Sequence, residues 1–217
     1  MWSLLNPRRT LCDNKRIFIM KKIALTGGIG CGKTTVSNIF FEKFKIPTID
    51  TDVLARQAVT KGSEGLKEVV SHFGSNILDN RGELDRLKLK KIIFFDEKQK
   101  RILESIIHPI VNRLLKEEVS STRSTYCLIA VPILRKDSKI LSFVDRIIFI
   151  DCEESVQIKR TLLRDNLNLE LIKNIIKSQP SRVELSQIAN DIIKNNGSLS
   201  RLNRDIQKLH EKYIELA

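Results

Sequence analysis

Three stretches of this chain are apolar almost without a break: "KIALT" (22–26), "YCLIAV" (126–131) and "RIIFI" (146–150). A strand with one wet face alternates apolar and polar residues. These do not, so both their faces meet other layers, as in a parallel sheet. The shorter runs "PTID" (47–50) and "DIIK" (191–194) add two further strands. Between them the apolar spacing turns helical, over 34–44, 53–59, a long stretch 86–120, 154–163, 169–177 and 200–216. Strand and helix alternate, and the class predicted is α/β: a parallel sheet flanked by helices.

The stretch 53–125 holds helical patterns and no convincing strand, far more than one crossover requires. It reads as a helical subdomain leaning over the sheet. Within it "IIHPIV" sets His108 before Pro109, and proline there predicts a broken or kinked helix. Such a break is a reasonable place for a substrate pocket. His108 itself is either structural or part of that pocket. "NRG" (80–82) and "NNG" (195–197) punctuate element ends, and no internal repeat or low-complexity linker divides the chain.

The chemistry begins where the first strand ends. "GGIGCGKT" fits G-x-x-x-x-G-K-[ST] at Gly27, Gly32, Lys33 and Thr34, between a predicted buried strand and a predicted helix. Glycines let the backbone curl so that successive N–H groups aim at phosphate oxygens, and the following helix offers its positive end to the same anion. The candidate nucleotide-binding set is Gly28, Ile29, Gly30, Cys31, Gly32, Lys33, Thr34 and Thr35. Lys33 reaches the β- and γ-phosphates of ATP, and the Thr34 hydroxyl ligates Mg²⁺. Cys31 sits where a helix N-terminus and a nearby cation lower a thiol pKa, or it is a small filler pointing away.

"TIDTDVLAR" places Asp50 and Asp52 where the second strand gives way to a helix. In an extended segment residues two apart point the same way, so both carboxylates are expected to face the crevice at the carboxyl edge of the sheet. One would orient an attacking hydroxyl and accept its proton, while the other holds the metal through water. The competing reading makes Asp52 a helix cap. "IKRTLLRD" puts Arg160 and Arg164 on one helix face, either as cations swung over a transferring phosphate or as a solvated basic surface. Arg182, in "SQPSR", is expected to reach the same place.

Composition narrows the partners. The 217 residues carry a net charge of +12, which suits polyanions, but basic and acidic residues interleave along the whole chain rather than forming a stripe. No nucleic acid is therefore expected. Four cysteines without CxxC spacing or a histidine cluster give neither a zinc site nor a disulfide framework, and point to a reduced, cytoplasmic compartment. No apolar run approaches the roughly 18 residues that cross a bilayer, so no membrane is expected. Residues 1–19 carry Arg8, Arg9, Lys15 and Arg16 against Asp13, and "MKKIALTGG" from Met20 reads as a natural start. The first 19 residues are taken as an over-extended start or a disordered arm, and 20–217 as one domain.

The ordered set "ALTGGIGCGKTT", "IDTDVLARQ", "IIHPIV", "AVPIL", "KRTLLRD", "SQPSR" and "NNG" resembles the dephospho-CoA kinase family. That resemblance implies a P-loop NTPase-type core like that of nucleoside monophosphate kinases, with a helical acceptor-binding insertion at about 53–125 and a mobile lid at about 154–182. It implies transfer of the ATP γ-phosphate to the ribose 3′-hydroxyl of dephospho-CoA. By matching position, Asp52 resembles the proposed base, while Arg56 and His108 fall in acceptor-binding motifs. Arg160 and Arg164 match the lid, and Asn196 and Gly197 lie near the adenine of ATP. A monomer or weak homo-oligomer is expected. The chain departs from the family pattern at Cys31 and Thr34, and at Arg135 and Lys136, where an acidic residue is frequent. Other readings are another small-molecule or nucleoside monophosphate kinase on the same core, and a basic P-loop ATPase that binds nucleic acid.

Overall fold

A computed structural model describes residues 20–94, 96–165 and 167–217. The expectations placed on 1–19, including Cys12, lie outside the described residues. Five strands form one parallel sheet: β1 (Lys21–Thr26), β2 (Thr48–Asp50), β3 (Tyr126–Ala130), β4 (Arg146–Asp151) and β5 (Asp191–Lys194), in the order β2-β3-β1-β4-β5. Each matches a predicted apolar run. β3 is buried at every position, while the edge strand β5 alternates buried and exposed. The chain fills one side of β1 with β3 and β2, then crosses to the other for β4 and β5. Thr26 therefore ends the central strand, at the kind of topological switch that opens a crevice.

The helices among the described residues are α1 (Lys33–Phe44), α2 (Thr51–Ala58), α3 (Glu64–Phe73), α4 (Arg86–Phe94), α5 (Glu97–Ser121), α6 (Glu154–Asp165), α7 (Leu169–Ser178), α8 (Arg182–Ile188) and α9 (Leu199–Glu215). Ile23 and Leu25 on one face of β1 pack with Val36 and Phe40 of α1 and with Leu202, Ile206 and Tyr213 of α9. On the other face Ala24 and Ile129 pack with Leu54, Leu115 and Leu185 of α2, α5 and α8. A smaller core of Val59, Val69, Ile77, Leu89 and Leu103 holds the helices between β2 and β3 together. Burying this much aliphatic and aromatic surface is the main favourable term in folding.

Three readings of the helices need correction. The pattern over 86–120 is two helices, because the Asp96 carboxylate accepts the N–H groups of Lys98 and Gln99 and starts α5 afresh. α3 and α8 were not read from the spacing, although each begins at a serine cap, Ser63 and Ser181, the latter in a capping box with Glu184. Pro109 does not break α5, which runs from Glu97 to Ser121 through it. Proline removes the hydrogen bond to the carbonyl four residues back. Both Ser105 and Pro109 are exposed, so water can take that carbonyl, while Leu103 and Leu115 anchor the buried face. The pocket expected at a helix break has no break to form it.

Candidate active site

The glycine loop leaves β1 and turns directly into α1. Gly30 and Gly32 hold φ of 71° and 93°, conformations that a side chain disfavours, and Gly32 is the N-cap of α1. No side chain among the described residues caps that end, and its first turn holds no acidic residue. Its leading N–H groups and dipole are thus left to an anion. Lys33 Nζ arches over the loop, donating to Gly27 O at 2.6 Å and Gly28 O at 3.1 Å. Burial lowers its pKa, while Asp52 and Asp50 act to raise it and Arg164 to lower it, so Lys33 feels charges from α2 and α6. The Thr34 and Thr35 side chains are exposed at the same helix end.

Side chains from far along the sequence hold the loop. Gln157 of α6 donates Nε2–H to Ile29 O at 2.8 Å and faces Cys31 Sγ at 3.2 Å. Gln179, just past α7, accepts the Ile29 N–H at 2.9 Å. Asn195, just past β5, donates to Cys31 O at 2.8 Å. Gln157 is not singled out by the sequence, and Gln179 and Asn195 stand there only within "SQPSR" and "NNG", with no contact to the loop expected of them. Each partner is more than 120 residues away, and a glutamine on a helix carries no local sign of what it touches. Ile29, grouped with the nucleotide-binding residues by motif, has both its peptide N–H and its C=O committed to these glutamines.

The acidic pair is arranged differently from the extended segment expected. β2 ends at Asp50, which becomes the N-cap of α2 and accepts the Asp52 N–H at 2.8 Å. Asp52 already lies in the first helical turn. Partial burial raises its carboxyl pKa, and Asp50 adds to the rise against the opposing charges of Arg56 and Lys33. The arrangement leaves Asp52 with a carboxylate that caps nothing and feels the charge of Lys33 at the loop.

Arg160 and Arg164 both leave α6 toward the loop but serve different parts of it. Arg160 lines a cavity of about 260 Å³ with Gly32, Thr35, Asn195, Gly197 and Leu199, and donates to Cys152 Sγ at 3.7 Å. Arg164 lies in the field of Lys33 and is clasped by Asp165 through two bonds of 2.6 Å. Arg182 does not hang free: it forms a two-pronged pair with Asp151 at 2.6 and 2.8 Å, at the end of β4. His108 is exposed on α5. Asn196 ties the β5–α9 loop to Glu153, accepting its N–H at 2.8 Å and donating to Oε1 at 3.1 Å, while Gly197 lines the cavity. Arg135 donates to Ser178 O and Lys136 to Gln187, tethering the loop after β3 to α7 and α8.

Cys31 turns into the core under the loop, 2% exposed. Burial pushes its thiol up to about 12, with Cys152 beside it adding to the rise and Lys33 opposing. A lowered thiol pKa, one of the two sequence readings, is therefore the wrong direction. Desolvation outweighs the helix end and the lysine. Cys31, Cys127 and Cys152 are buried free thiols.

Comparison with known proteins gives a consistent answer. The family model described as dephospho-CoA kinase matches residues 21–201. The dephospho-CoA kinase of Vibrio vulnificus is 40% identical over 195 residues, covering 90% of this chain and 96% of that one. Among solved structures, TT1252 from Thermus thermophilus aligns with a TM-score of 0.78 at 26% identity, covering 89% of this chain and 97% of its own. The dephospho-CoA kinase from Campylobacter jejuni shares the fold with a TM-score of 0.68 at 24% identity, over 91% and 98% of the two chains.

Proposed function

The chain belongs to the dephospho-CoA kinase family, and from that premise we propose that it transfers the γ-phosphoryl group of ATP to the ribose 3′-hydroxyl of dephospho-CoA, giving ADP and coenzyme A. The observation that carries this reading is the meeting of Lys33, the uncapped N-terminus of α1 and the uncommitted Asp52 carboxylate at one edge of the sheet.

The roles follow from the charges. The N–H groups at the start of α1 and the Lys33 ammonium hold the β- and γ-phosphates and stabilise negative charge as it shifts during transfer. Asp52 orients the acceptor hydroxyl and takes its proton; its raised pKa makes it a better base than an ordinary aspartate. Arg56, one turn along α2, is placed for the anionic acceptor, and His108 is assigned to the same acceptor side by motif. Arg160 and Arg164 balance the triphosphate from α6, with Gly197 and the adjoining cavity taking the nucleoside. Arg182, held by Asp151, shapes this wall rather than carrying phosphate itself.

Among the described residues no group of three or more His, Cys, Asp or Glu gathers to hold a metal alone. The Thr34 hydroxyl and the Asp50 and Asp52 carboxylates are hard oxygen donors beside the phosphate cradle. That suits Mg²⁺, which favours one or two protein oxygens together with phosphates and water. When bound, Mg²⁺ would neutralise phosphate charge.

The basic surface fits substrates rich in phosphate and needs no nucleic acid. No described helix is long and apolar enough to cross a membrane, and free thiols suit a reducing cytoplasm. The test is incubation with Mg-ATP and a panel of hydroxyl acceptors, followed by mass measurement of the products. Dephospho-CoA gains one phosphate and AMP gains none. Nucleoside diphosphate as the product would overturn the assignment.

A further inference from the structure

The backbone at Ile29 is held on both sides, at its N–H and at its C=O, by a region that begins more than 120 residues later. Gln157 donates to its carbonyl at 2.8 Å and Gln179 accepts its N–H at 2.9 Å. Gln157 is 5% exposed, and its amide also faces Cys31 Sγ, so one side chain touches the loop on both sides of Gly30. One turn further along α6, Thr161 is fully buried with its hydroxyl unpartnered among the described residues. A Cβ at Gly30 would stand 2.8 Å from that hydroxyl and 2.7 Å from Gln157 O. α6 is thus seated against the glycine loop with no space for a methyl group. The same helix carries Arg160 and Arg164, three and seven residues beyond Gln157, on the side toward the loop.

On the kinase reading of this site, we propose that Gln157 and Gln179 are positioning residues that clamp the backbone on both sides of the Ile29 Cα and so fix the phosphate cradle in register with the arginines of α6. The N–H groups of a glycine loop hold phosphate only if their directions are set in advance, and a loop of glycines has little stiffness of its own. Gln157 supplies the missing constraint as a donor and Gln179 as an acceptor. The two bonds fix the two peptide units on either side of the Ile29 Cα, so loss of either loosens the same turn of the loop.

The test is a double-mutant cycle with Gln157→Met and Gln179→Met, which keep bulk and remove the hydrogen bonds. Each single variant should lose about 10- to 100-fold in kcat, the scale of a small misplacement of reacting groups. KM for ATP should rise, while KM for dephospho-CoA stays within about twofold, since the clamp lies on the nucleotide side. The double variant should lose clearly less than the product of the two single losses, because both bonds hold the same residue and either loss already loosens it. Gln179 is only partly buried, so its variant is expected to fold even if Gln157→Met does not, and thermal melts identify folded samples. Wild-type kcat and KM for ATP in a folded Gln179→Met protein, or losses that multiply in the double variant, would overturn the clamp. Wild-type protein assayed in parallel separates the two questions: if it fails to phosphorylate dephospho-CoA, the kinase reading falls instead.

Discussion

The Asp50 carboxylate accepts the backbone N–H of Asp52 at 2.8 Å and thereby caps α2. The cap reading of the sequence falls on Asp52; the residue that caps is Asp50. With Asp50 in that role, the two acidic residues are placed differently: one ends a strand and starts a helix, and the other keeps a carboxylate outside the cap, in the field of Lys33.

Asp52→Asn keeps the size of the side chain and cannot take a proton. A drop in kcat of about 10²–10³ is expected, with little change in KM for either substrate and an unchanged melting temperature. Steady-state kinetics and a thermal melt decide it. Wild-type kcat would remove Asp52 from the proton transfer. Asp50→Ala should instead cost about 1 kcal/mol of stability through the lost cap.

The pH profile offers an independent check. The Asp52 pKa is raised, by desolvation first and by Asp50 next. The reactive carboxylate is present above that pKa and lost as pH falls through it, so the acid limb of kcat/KM should lie above that of an ordinary aspartate. In Asp52→Asn that limb should vanish from the residual activity. An acid limb that survives there belongs to another group.

Lys33→Ala removes the cation at the loop together with two hydrogen bonds to Gly27 O and Gly28 O. Turnover should fall by about 10²–10³ or more, while circular dichroism shows an intact fold. Near-normal turnover would mean that ATP binds elsewhere.

Gly30→Ala forces a methyl group at φ 71° toward Gln157 O and Thr161. A loss of at least about 1 kcal/mol is expected, read as a fall in Tm of about 2–4 °C, with a larger fall in kcat as α6 is pushed off the loop. An unchanged Tm would show that the helix yields freely.

Asp191 concerns stability alone. It is 8% exposed and accepts from Arg146, Lys212 and Tyr213. Burial tends to raise its pKa, but these partners win and lower it. Its contribution is therefore complete above the ordinary aspartate range and lost as pH falls through the lowered folded value, below about pH 4. Asp191→Ala should cost about 1–3 kcal/mol near neutrality, chiefly by leaving the buried Tyr213 hydroxyl unpaired, since Arg146 and Lys212 are partly exposed and can turn to water. Denaturant melts at pH 7 and pH 3 test both statements, and equal sensitivity to the mutation at the two pH values would contradict the linkage.

The sequence by itself determined the sheet and the loop, because their signals are local. Apolar runs such as 126–131 state how deeply a strand is buried, and a glycine loop followed by Lys33 and Thr34 states its chemistry within eight residues. Helix ends were less legible: Asp96 splits one long pattern into α4 and α5, and Pro109 rides on an exposed face without breaking α5, since water can serve the carbonyl it displaces. What only the tertiary structure decided was which residues meet across the chain. Gln157, Gln179 and Asn195 reach the loop because β4 lies beside β1 in the sheet and β5 beside β4, and no spacing along the chain encodes that neighbourhood. Arg182 pairs with Asp151 for the same reason. The direction of the Cys31 thiol was decided there as well. A helix end and a lysine are visible in the sequence, whereas the burial that outweighs them exists only once the core has closed beneath the loop.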